Sequence, residues 1–239
     1  MPISARSRIA ALVFAMAFPS LLTWCYFVWL AGRPSSVPQT VYAVGKLLQF
    51  GFPAVWVWLV LRERFAWPQG SRSGLMPGAA FGLFVAAATV GLARILHDSG
   101  FLDGPTEIVR QKISDLGLQS LGKYVALGVF YALGHSLLEE YYWRWFVFGQ
   151  LRKYVSPTSA VTVSSVAFMA HHIILLATYF GWTSPVAYVF SLAVALGGAV
   201  WAWIYYRSGS LYGPWLSHCL VDAAIFYLGY ELAWDTFVR

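Results

Sequence analysis

Seven stretches of about twenty or more mostly apolar residues follow one another along this chain of 239 residues. A helix rises ~1.5 Å per residue, so ~20 such residues cross the ~30 Å hydrocarbon core of a bilayer. The stretches cover about residues 9–31, 41–61, 75–96, 123–149, 159–180, 185–206 and 211–234. Only 11% of residues are charged and 59% are apolar, whereas a soluble domain carries roughly 25% charge. Aromatics reach 18%, with 12 Trp, as expected of belts at the two membrane surfaces. The expected fold is all-α: one polytopic transmembrane bundle over residues 1–239, of about seven spans, with no room for a sizeable soluble domain.

The first run is longer than the ~7–15-residue core of a signal peptide, so it reads as an uncleaved span. Lys46 lies near one end of the second and can snorkel. Residues 97–122 differ: Asp98, Asp103, Glu107, Arg110, Lys112 and Asp115 alternate with apolar positions. Ile108, Ile113 and Leu116 predict a short amphipathic helix at the interface. The net charge of +6 sits in short loops, so it sets orientation and is no nucleic-acid signal. With seven spans, Arg6, Arg8, Arg62, Arg64, Arg72, Arg152, Lys153 and Arg207 fall on one side, which places the N-terminus in the cytoplasm. Cys25 and Cys219 both lie in apolar runs and read as unpaired thiols.

Ionisable groups inside lipid are costly, rare and usually functional. Three of the late spans carry them: Glu139 and Glu140, then His171 and His172, then His218 and Asp222. Counted from the cytoplasmic helix ends, Glu139 lies roughly 15 Å deep, His172 roughly 20 Å, and His218 with Asp222 roughly 10–17 Å. The ranges overlap, so one site in the cytoplasmic half of the membrane accommodates all three clusters. Glu140 and Arg144 are four apart and face each other on a helix, which predicts an ion pair. Glu139 points about 100° away and is the freer carboxylate, suited to a general base. Phe168 and His172 share a face. Asp222 is one turn from His218, placed to fix its tautomer. His135 precedes Glu139 by one turn and reads as a supporting group; His97 reads as solvated. Ser136, Ser217 and Cys219 are potential nucleophiles, but none has a base persuasively placed.

Glu-Glu-x-x-x-Arg (139, 140, 144), Phe-x-x-x-His (168, 172) and His-x-x-x-Asp (218, 222) occur in that order on successive spans. This pattern resembles the CAAX protease and bacteriocin-processing family of intramembrane glutamic peptidases, also called the abortive-infection family. The stretch from Tyr205 to His218 resembles its third motif region. The resemblance covers about the last half of the chain, 123–234. It implies an endopeptidase of the bacterial cell membrane that needs no metal and no cofactor. Glu139 and His172 would activate a water, His218 and Asp222 would hold the oxyanion, and Glu140 with Arg144 would support the site. The substrate would be a peptide or protein, prenylated or otherwise membrane-anchored. The family commonly has Asn where this chain has Asp222. An ionised carboxylate repels an oxyanion, so Asp222 is expected to orient His218 instead.

Two other readings fit the same residues. Glu139, His172, His218 and His135 are nitrogen and oxygen ligands of the kind zinc takes, though no His-Glu-x-x-His motif is present. Alternatively the polar groups serve a non-enzymatic immunity or transport protein, against which the lack of paired repeats argues.

Overall fold

A computed structural model of the chain describes residues 4–63 and 72–238. Among these the regular elements are helical: α1 (Ala5–Trp29), α2 (Ser36–Val60), α3 (Arg72–Asp98), α4 (Asp103–Asp115), α5 (Leu121–Leu151), α6 (Pro157–Phe180), α7 (Pro185–Ser208), α8 (Tyr212–Leu232) and the short turn α9 (Trp234–Phe237). Six of them, α1, α2, α3, α5, α6 and α7, are long and apolar enough to cross a membrane, and the chain is an integral membrane protein. The expected seventh span forms as the 21-residue α8. It is not among the six, because His218, Asp222 and Glu231 dilute its apolarity. Arg64, one of the charges that orient the chain, lies outside the described residues.

Local chemistry marks the helix ends. The Ser156 hydroxyl accepts from the Ser159 amide at 3.2 Å and Pro157 opens α6, an N-terminal signal in which the proline has no N–H to waste. The chain leaves α7 through Gly209 at φ 65°, a left-handed conformation that glycine adopts without steric cost. Other ends widen instead of stopping. The Leu30 amide reaches the Cys25 carbonyl and the Leu61 amide reaches the Trp56 carbonyl, both at 2.9 Å, the i→i+5 bonds of π-helical turns. Helix α5 is π-helical over Phe130–His135 and again over Tyr141–Phe148, with Ser136–Glu140 α-helical between them. Such insertions recur at functional sites, and here they bracket both glutamates.

The residues group into two units, each drawn from two separate stretches of chain: Met1–Gly70 with Tyr141–Leu211, and Ser71–Glu140 with Tyr212–Arg239. In the first, α1 packs on α2 and α6, and α6 packs on α7. The Tyr142 hydroxyl donates to the Ala15 carbonyl at 2.7 Å, and Phe146 meets Phe52 edge-on at 5.8 Å. Glu63 receives Lys153 at 3.4 Å and Arg8 at 3.9 Å, exposed contacts of small worth.

In the second unit, α3 and α8 approach backbone to backbone. Gly74, Gly78 and Gly82 recur every fourth residue on α3, and Gly213 and Ser217 do so on α8. A Cβ on Gly78 would run into the Gly213 carbonyl, and one on Gly82 would lie 2.8 Å from the Ser217 Cα. Small residues at four-residue spacing permit this approach, which gains dispersion contact where no hydrophobic effect drives helices together. The Tyr124 hydroxyl of α5 donates to the Phe226 carbonyl of α8 at 2.9 Å, and the Trp215 indole N–H donates to the Leu133 carbonyl at 2.9 Å. The expected amphipathic helix is α4, but its buried face differs from the expectation. Leu116 is exposed, whereas Ile113 is buried with Tyr124 and Ala233, and Val109, Phe226 and Phe237 pack around them. The apolar stripe of α4 is therefore covered by protein.

Candidate active site

Glu139 and Glu140 stand in the α-helical turn of α5, in the second unit, and both are buried, Glu140 completely. From α8 the same unit brings His218, also buried. The glycine contact of α3 with α8 seats the turn that carries it, since Ser217 is the residue Gly82 touches. The ring Nδ1 of His218 lies 2.9 Å from Glu140 Oε1. A carboxylate only accepts, so Nδ1 carries the hydrogen and donates. The bond is charge-assisted, the stronger kind. It leaves Nε2 pointing at two further carboxylates: Glu139 Oε2 at 3.8 Å and Asp222 Oδ1 at 3.7 Å. The second oxygen of Glu139 faces His135 Nε2, also at 3.8 Å.

These distances change one expectation. Asp222, one turn from His218, was the expected orienter of the imidazole. Glu140 holds the ring instead, because a contact across helices reaches Nδ1 directly while Asp222 stays beyond hydrogen-bond range of Nε2. Two groups 3.8 Å apart can each reach one shared oxygen at ~2.8 Å. The space between Glu139 and His218 Nε2 is thus suited to a water or a substrate oxygen. Ser136 is unsuited as a nucleophile: it is buried, and its hydroxyl donates to the Ala132 carbonyl.

Arg144 and His172 belong to the first unit. The Arg144 guanidinium is fully buried and lies over two rings, 5.0 Å from the centre of Phe168 and 5.4 Å from that of Trp201. Cation–π attraction of this kind strengthens where water is excluded. Gly198 makes room for it, since a Cβ there would lie 3.2 Å from Phe168 and 3.7 Å from an Arg144 nitrogen. Phe168 also meets His172, ring centre to ring centre at 4.6 Å, as their shared face predicts. His172 Nδ1 lies 3.0 Å from the Phe168 carbonyl. A carbonyl only accepts, so Nδ1 is the protonated nitrogen and Nε2 is the basic one in the neutral ring. His171 is stacked flat on Trp143 at 5.8 Å, a packing role. Among the described residues no group of three His, Cys, Asp or Glu side chains is arranged to hold a metal ion.

Buried carboxylates gathered on a held imidazole, inside an integral membrane protein, define a candidate hydrolytic centre. Residues 121–224, which include every motif position above, match the family model described as type II CAAX prenyl endopeptidase, Rce1-like. That stretch is a domain of the Rce1-like CAAX prenyl endopeptidase family, a family of peptidases. No curated protein and no solved structure matches the chain.

Proposed function

We propose that this protein is an intramembrane endopeptidase that hydrolyses a peptide bond with a water activated by Glu139, without a metal. The observation that carries the proposal is the setting of His218, clamped through Nδ1 by buried Glu140 at 2.9 Å with Nε2 turned toward Glu139 at 3.8 Å. Glu139 takes the proton of the water as its oxygen attacks the carbonyl carbon. His218, when both ring nitrogens are protonated, donates through Nε2 to the oxyanion that forms. Donors aimed at developing charge in a water-poor site are worth roughly 2.7–4 kcal/mol each. Glu140, the carboxylate hydrogen-bonded to the ring, fixes the donor's orientation and balances its charge. Arg144 braces its helix against Phe168 and Trp201. For His172 the proposal follows the sequence motif: it assists Glu139 in activating the water.

The family's name supplies the first substrate to try, a peptide with a prenylated C-terminal cysteine motif. Purified protein in liposomes should cleave a farnesylated CAAX peptide, and chelators should leave the rate unchanged. Glu139→Gln keeps the side chain's shape and removes the base, so turnover should fall by at least 10²-fold while the protein still inserts. Normal turnover by that variant would overturn the role given to Glu139.

A further inference from the structure

We propose that His135 is the general acid of the reaction: it protonates the departing amine, and Glu139 then recharges it. The proposal rests on the reading of Glu139 as the base. Glu139 sits between two imidazoles, with Oε2 toward His218 Nε2 and Oε1 toward His135 Nε2, each at 3.8 Å. His218 is already held at Nδ1 by Glu140 and serves the oxyanion. Peptide hydrolysis has a second requirement, because an amine anion is too poor a leaving group to depart without a proton. The residue placed to supply that proton faces the opposite oxygen of the base.

The local structure holds His135 in that position. Its ring lies against Tyr131, centre to centre at 4.7 Å, and Tyr131 is backed by Phe226 of α8 at 5.3 Å. The side chain retains 15% of its exposure, while its Nε2 is itself a buried atom, so the leaving nitrogen meets that proton inside the site, beside Glu139. His135 closes the π-helical stretch Phe130–His135, and the α-helical turn carrying the glutamates starts at the next residue. The widened turn ends where the two side chains must face each other.

The step balances as follows. Glu139 accepts one proton from water, and the water oxygen bonds to the carbonyl carbon. The tetrahedral intermediate then collapses: the C–N bond breaks with its electron pair going to nitrogen, and the His135 imidazolium gives that nitrogen its Nε2 proton. Glu139 passes the water-derived proton to His135 Nε2, which restores both groups.

The test compares two substrates with the same acyl sequence, a peptide amide and an activated aryl ester whose leaving group departs without a proton. His135→Phe keeps a ring on Tyr131 and removes the proton; His135→Gln is a second variant without a ring. Both should lose about 10²-fold or more in kcat on the amide, with KM within roughly threefold, and less than about threefold on the ester. Ester turnover also reports that the variants are folded. Equal losses on both substrates, or an undiminished amide rate, would overturn the proposal. Amide turnover retained by Glu139→Gln would instead sink the reading beneath it, whatever the His135 variants do.

Discussion

Replacing Glu140 separates its part in holding His218 from any part in the chemistry. The His218–Glu140 contact is 2.9 Å long, and Glu140 is fully buried. Glu140→Gln leaves an amide oxygen to accept from Nδ1–H but removes the charge. A hydrogen bond to a charged group contributes about 1.5–3 kcal/mol and a neutral one about 0.5–1.5, so the loss is about 1–2 kcal/mol. If that loss falls on the orientation of the imidazole, turnover drops roughly 5- to 30-fold. Glu140→Ala leaves a buried donor with nothing at its old acceptor position, a change that costs about 3–5 kcal/mol. Against total stabilities of about 5–15 kcal/mol, that is a large share. For a chain of this length the midpoint of thermal unfolding should fall by roughly 6–20 °C for Ala and 2–8 °C for Gln. Thermal unfolding in detergent, paired with turnover in liposomes, measures both. An alanine variant that melts within about 2 °C of the parent, or a glutamine variant less stable than the alanine one, would refute the claim that this carboxylate anchors the ring.

Asp222→Asn should retain activity within about threefold, because Asp222 lies 3.7 Å from Nε2 and makes no hydrogen bond there; a loss beyond 10²-fold in the same turnover assay would give Asp222 a direct part in the reaction. Gly78→Val should block the approach of α3 to α8, since its Cβ runs into the Gly213 backbone carbonyl, which cannot swing aside as a side chain can. That variant should be poorly folded by protease sensitivity in membranes, whereas Gly91→Ala on the same helix, where a Cβ meets nothing, should behave as the parent does.

The spans were legible because a membrane leaves the backbone few options and the apolar runs are long. All six helices long and apolar enough to cross a membrane begin and end within about five residues of the expected limits. The ionisable residues that meet around His218 were legible for the same reason, as charge inside an apolar run stands out. The partner of Glu140 on His218 was harder to read. Spacing along one helix suggests Asp222 for His218, but Glu140 reaches it from another helix, 78 positions away in sequence, and one sequence holds no signal for such a pairing. The two π-helical stretches in α5 were also hidden, since nothing in Phe-Tyr-Ala-Leu-Gly-His departs from ordinary helical composition. The face of α4 was misread at Leu116 because periodicity identifies a stripe and says little about where it ends.

The seam of bare backbone between α3 and α8 bears on how the protein is made. Gly78 and Gly213 are separated by well over a hundred residues, and a ribosome adds ~5–20 residues per second. The early helix therefore waits in the bilayer for roughly seven to thirty seconds with its glycine ridge against lipid or a temporary escort. Until α8 is inserted, His218 is absent and Glu140 has no imidazole to hold. The residues of the proposed hydrolytic site come together only once α8 has been made, so a nascent chain truncated before α8 lacks His218.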